Sequence, residues 1–210
     1  MYKIPRLLFP ISTLVLAATI SYSALAAPAY YGNRATFVGN VGATVTDDYS
    51  NAGYSFIQSN AAMSAVLGET DYTSTGFSNL NIVSGATYCA GCNGSFLLDF
   101  TSTSVGDANG VFGVGLDVVG NSGYFAFITF GDNSTNNILI SGTFFGLTAS
   151  EEIKSIAFGL SNGGTTIDGS FQIDNLTIGA ANNTVPEPSS LALLGVALAG
   201  VAVSLKRKEH

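Results

Sequence analysis

Val111-Phe112-Gly113-Val114-Gly115-Leu116-Asp117-Val118-Val119 decides the fold. Phe112, Val114, Leu116 and Val118 fall on one face of an extended chain, and Gly113, Gly115 and Asp117 on the other. That period of two is the signature of a strand with one face in a core. Working outward, Ser95–Thr101 repeats it: Phe96, Leu98 and Phe100 share a face, with Asp99 opposite. Further short apolar runs predict strands at Thr36–Val41, Tyr54–Ile57, Ser64–Leu67, Asn79–Val83, Tyr124–Phe130, Asn137–Ile140, Ile153–Gly159 and Ser170–Ile178. Clusters of Gly, Asn, Ser, Thr and Asp separate the runs as turns. The best helix candidate is a single turn at Ser150–Lys154, opened by Ser150-Glu151-Glu152. Without crossover helices a parallel sheet is excluded. The expectation is an all-β body over residues 27–179, an antiparallel, jelly-roll-like β-sandwich.

The last strand slips by one residue. Phe171 and Ile173 share a face, but the next inward residues are Leu176 and Ile178. The slip predicts a β-bulge at Asp174-Asn175.

The chain has 210 residues, with 14 acids against 7 bases, 25 glycines, two cysteines and one histidine. Mean hydropathy is +0.38, so membrane-directed segments are expected. Between residues 27 and 184 the only bases are Arg34 and Lys154, against twelve acids, a net −10. A nucleic-acid partner is excluded, because phosphates require Lys and Arg. The one histidine, His210, lies beyond the C-terminal apolar segment, so the body has neither a histidine-based triad nor a histidine-ligated zinc. Cys89-Ala90-Gly91-Cys92 lacks both the βα context of a redox motif and the second pair of a zinc site. A disulfide formed in an oxidising compartment remains, worth about 2 kcal/mol for so small a ring. Carboxylate pairs are the one catalytic option, a glycan hydrolase; solvent-facing acids such as Asp99 and Asp117, and turn acids such as Asp47-Asp48, read more simply as solvated positions. Seven tyrosines, Tyr30, Tyr31, Tyr49, Tyr54, Tyr72, Tyr88 and Tyr124, suit a sugar-binding face or, more plainly, sheet edges with hydroxyls outward.

Both ends carry addresses. Lys3 and Arg6 precede an apolar run from Leu7 to Ala18, and Ala24-Leu25-Ala26 forms a small-x-small site. Residues 1–26 therefore read as a signal peptide cut after Ala26, the alternative being an uncleaved anchor. Residues 180–184 are a linker. Val185-Pro186-Glu187-Pro188 follows, then an apolar span over 189–205, then Lys206-Arg207-Lys208. As a helix the span measures about 26 Å, short for a bilayer core of about 30 Å unless the basic side chains snorkel. The basic cluster stays cytoplasmic and leaves the body outside. The prolines keep Val185–Pro188 extended.

This order over residues 185–210 resembles the PEP-CTERM sorting signal; a plain tail anchor is the alternative. The resemblance implies a Gram-negative envelope protein, held first in the inner membrane. An exosortase, a membrane-embedded cysteine transpeptidase-like enzyme, would cleave it near Pro186–Pro188 and send it to the cell surface or the biofilm matrix. It implies nothing about the body's activity. Separately, Phe171–Ile178 resembles the closing strand of extracellular jelly-roll modules, which implies that Asp174 helps hold a structural calcium ion through hard oxygen ligands. The expected function is a non-catalytic surface or matrix protein, with exopolysaccharide binding as the alternative and glycan hydrolysis as a third reading.

Overall fold

The alternating segments pair as antiparallel strands in the computed structural model, which describes residues 27–121 and 123–182. In chain order the elements are β1 (Ala29–Tyr31), α1 (Arg34–Val38), β2 (Thr44–Asp47), β3 (Ile57–Gln58), α2 (Asn60–Ser64), β4 (Asp71–Ser74), β5 (Asn81–Ser84), β6 (Thr87–Ala90), β7 (Phe96–Asp99), β8 (Val111–Asn121), β9 (Phe125–Phe130), β10 (Thr135–Leu139), β11 (Phe144–Gly159) and β12 (Phe171–Gly179). The expected leader at 1–26, the sorting residues 185–188, the span 189–205 and the basic cluster 206–208 lie outside the described residues.

One hydrogen-bonded network joins all twelve strands, and β11 folds it into two layers. Its first half, Phe144–Thr148, pairs with β8 and β1. Its second half pairs with β9 and β7. Between them the register shifts at Ile153/Ser155. A bulge bends a strand and re-aims its side chains, which is how a strand turns the corner between stacked sheets. Before the bulge Phe145 and Leu147 enter the core; after it Ile156 and Phe158 do. The first layer continues through β8 to β12, whose far edge is shared by β6 and β2. The second runs β10–β9–β11–β7–β4. Phe171 of the first layer meets Phe158 and Phe96 of the second at 5.1 and 5.8 Å between ring centroids. Phe96, Leu98 and Phe100 are all fully buried, as their alternation requires.

Several expected elements differ. Thr36–Val41 is not a strand. Asn33 caps α1 by accepting the Thr36 N–H at 3.1 Å. Phe37 and Val41, four residues apart, then reach one small cluster with Phe144. Ser64–Leu67 ends helix α2 instead, where Ser59 accepts the Ala62 N–H and Met63 is the buried residue. Ser150–Lys154 is not a helical turn, because sheet bonds claim its carbonyls: Gly131 N–H donates to Glu152 and Phe100 N–H to Lys154. Four short strands, β1, β2, β4 and β6, and the first half of β11 carry too little alternation to be read in advance.

Gly113 and Gly115 explain where α1 rests. They lie on the outer face of β8, and a Cβ on Gly115 would come within 2.6 Å of the Phe37 ring. The bare strand lets a fully buried phenylalanine lie flat on it.

Candidate functional site

The bulge expected at Asp174-Asn175 is present. The pairing of β12 with β8 shifts register between Asp174 and Thr177, and Asn175 adopts φ +50°, a left-handed conformation that asparagine tolerates better than most residues. Arg34, from the start of α1, fills the place the bulge opens. One guanidinium nitrogen donates to the Asn175 carbonyl at 2.8 Å, another to Thr177 Oγ1 at 2.8 Å, and Nε to Asp117 Oδ1 at 3.2 Å. The group also lies 5.0 Å from the centroid of the Phe144 ring. Asp117 is therefore an ion-pair partner, not a merely solvated acid. Asp174 accepts the Asn175 N–H. Burial pushes its carboxyl above the usual range, partly offset by that bond, and Asp117 and Asp48 push the same way.

A calcium ion at Asp174 would need the Asn175 carbonyl, which is already bonded, and would meet a positive guanidinium at the bulge. With Arg34 in place the residues do not fit the ion. Among the described residues no group of three or more His, Cys, Asp or Glu side chains is gathered for a metal.

A second polar centre lies on the other flank of β12. Asp47, at the end of β2, is 7 % exposed. Its Oδ2 accepts the hydroxyls of Tyr54 and of Tyr72, the latter at 2.9 Å. Its Oδ1 accepts the Tyr49 N–H at 3.0 Å. Tyr49 and Tyr72 join hydroxyls at 3.2 Å, and Tyr88 stacks on Tyr49. Burial raises the Asp47 carboxyl and outweighs the donors, which lower it. Burial holds the Tyr49 and Tyr72 phenols far above their ordinary range. The adjoining cavity, of about 10 Å³, has room for about one water. Tyr49, Tyr72, Tyr88 and Tyr124 are thus core residues, which corrects their expected place at sheet edges; of the seven tyrosines only Tyr30 is exposed. Asp47, Asp48, Asp99 and Asp132 each accept an N–H two residues on, as turn acids do; Asp47 differs in being buried and in taking two tyrosine hydroxyls as well.

Cys89 at the end of β6 and Cys92 lie at disulfide distance, with Cα atoms 4.7 Å apart. The turn they close packs on Phe77 through Gly91 and Gly94.

β12 ends at Gly179, the Ala180 N–H donates to Ala43, and the Ala180 carbonyl accepts from Gly42. Residues 184–208 carry a PEP-CTERM protein-sorting motif. The motif marks an exported protein that an exosortase sorts through the membrane to the cell surface. No curated protein and no solved structure matches the chain. The PEP-CTERM match covers the expected sorting residues Val185, Pro186, Glu187 and Pro188 and the basic residues Lys206, Arg207 and Lys208.

Proposed function

We propose that the body is a non-catalytic domain of the cell surface or extracellular matrix of a Gram-negative bacterium, freed from the inner membrane by cleavage near Pro186–Pro188. The observation that carries this reading is the motif at 184–208, which begins four residues after Ala180, where the backbone is still bonded to Gly42 and Ala43 of the body. The chemistry of the body supports it. Its most buried carboxylate, Asp47, and its one ion pair among the described residues hold strands together.

The test is intact mass of the exported protein in strains with and without the sorting enzyme. Loss of the residues beyond Pro186–Pro188 only when the enzyme is present is the expected result. Pro186→Ala with Glu187→Ala leaves the apolar span untouched, so membrane insertion persists while processing stops. Released protein that still carries residues 191–210 overturns the reading.

A further inference from the structure

The amino end of the body occupies a defined place. Ala29, Tyr30 and Tyr31 pair in register with Thr148, Leu147 and Gly146 of β11. Pro28 fixes its own φ and keeps Ala27 extended. Ala27 is therefore held two residues from a fixed strand. Ala27 and Pro28 line a cavity of about 200 Å³ whose other walls include Phe130, Asp132, Ala149 and Glu151.

Two acids line that cavity, Asp132 exposed and Glu151 half-buried. Asp132 lies in the turn between β9 and β10, where Oδ1 accepts the Ser134 N–H at 2.8 Å. Glu151 lies on β11, and its Oε1 sits against the same turn: a Cβ on Gly131 would approach it to 3.1 Å. The body has two basic side chains, and Arg34 is spent on Asp117. No ion pair serves Asp132 or Glu151 among the described residues.

Hydrolysis of the Ala26–Ala27 peptide bond by a leader-removing protease consumes one water. It leaves a carboxylate on Ala26 and an ammonium on Ala27. We propose that this new α-ammonium is held as an ion pair by Asp132 and Glu151, so that removal of the leader locks β1 onto β11. Before cleavage the same nitrogen is a neutral amide. Among the described residues no cation lines this cavity, and export itself makes one.

The proposal rests on the leader reading of Ala24–Ala26, and the two are tested separately. Mass and N-terminal sequence of the exported protein show whether it begins at Ala27; any other start overturns both. For protein beginning at Ala27, amine-selective labelling across pH, read by mass spectrometry at Ala27, gives the α-amino pKa. An ordinary α-amine titrates at about 7.7–8.0. The expected value is about one unit higher in the wild type and ordinary in Asp132→Asn/Glu151→Gln, which keeps the side-chain shapes and the Asp132 turn acceptor. Selective acetylation of Ala27 lowers Tm in the wild type and leaves that of the double variant unchanged. An ordinary pKa in the wild type, or a raised one that persists in the double variant, overturns the proposal.

Discussion

Two acids flank the same stretch of β12 and receive opposite treatment. Asp117 faces Asp174 across the β8 pairing, and Asp47 faces Leu176 across the β2 pairing. The Asp117 side chain is 34 % exposed and meets a guanidinium. Asp47 is nearly buried and meets two hydroxyls and an N–H, with no cation. The difference follows from desolvation. A half-exposed carboxylate keeps much of its hydration, so an arginine can join it at modest cost. Burying both members of an ion pair is expensive, whereas neutral donors satisfy the oxygens without burying a second charge.

The contrast predicts unequal consequences. Asp47→Ala strands the Tyr54 and Tyr72 hydroxyls and the Tyr49 N–H beside a small cavity. The expected loss is about 3 kcal/mol, or roughly 6–12 °C in Tm for a domain of this size. Arg34→Ala leaves Asp117 partly hydrated and Thr177 still bonded to the Thr46 hydroxyl, and should cost about 1–2 kcal/mol. Urea unfolding of both variants measures the gap. Equal losses would break the comparison.

Next in size is a perturbation of the Arg34 side alone. Gly115→Ala puts a Cβ 2.6 Å from a fully buried Phe37 ring and 3.0 Å from Phe144. Overpacking of this kind costs about 1–3 kcal/mol. It should lift α1 and weaken the Arg34 contacts while the Asp47 centre stays intact. The readout is hydrogen exchange: faster at α1 and the Asn175 bulge, unchanged at Tyr49. Faster exchange at Tyr49 as well would show that the two flanks are coupled.

The same two flanks show what a sequence discloses. The strands at Phe96–Asp99 and Val111–Asn121 were legible because Phe96 and Leu98, and Val114, Leu116 and Val118, enter the core with a period of two; at the start of β8 the pattern misleads, since Val111 and not Phe112 is buried there. The bulge was legible because Leu176 and Ile178 break the alternation that Phe171 and Ile173 begin. The first half of β11 was not, because Phe144 and Phe145 both enter cores, on opposite faces, and alternation vanishes. α1 was hidden for a related reason. Its apolar residues are few, and the signal for it lay in the bare glycines of β8 that receive Phe37. The Asp47 centre had no local signal at all, since its tyrosines come from separate turns and strands. Arg34 carried a faint one: with two bases against twelve acids between residues 27 and 184, each base is at a premium. The sorting segment was readable in full because its three parts are consecutive in sequence and owe nothing to the body's packing.

A smaller effect comes from pH. Burial raises the Asp47 carboxyl above its unfolded value of about 3.9. The folded chain therefore holds this proton more tightly than the unfolded chain. The linked stability is fully present below pH of about 3.9 and is lost as pH rises through the raised folded value. Asp47→Asn cannot titrate, so its penalty relative to wild type should be greatest at acid pH and shrink toward neutrality. Urea midpoints between about pH 4 and 7 give the slope. A penalty that grows toward neutrality would mean that the hydroxyl donors, not burial, dominate the Asp47 carboxyl.

Calcium gives the smallest expected effect and the sharpest view of the Arg34 flank. In the wild type the Asn175 carbonyl and Asp117 are bonded to the guanidinium, so millimolar calcium should shift Tm by less than about one degree. Arg34→Gln removes the positive charge and leaves the Asn175 carbonyl, beside the carboxylates Asp117 and Asp174, with the Thr177 hydroxyl as its donor. Calcium prefers such hard oxygen donors, while magnesium holds its waters more tightly. Ligand binding to the folded state alone raises stability by mass action. Calcium should therefore stabilise Arg34→Gln by a few degrees and magnesium by less, and adding Asp174→Ala should abolish the increment. Melting curves of the variant that coincide in calcium and in chelator would remove metal from this flank altogether. An increment in the wild type as large as in Arg34→Gln would show that the ion binds beside the guanidinium, and that Arg34 does not take the cation's place.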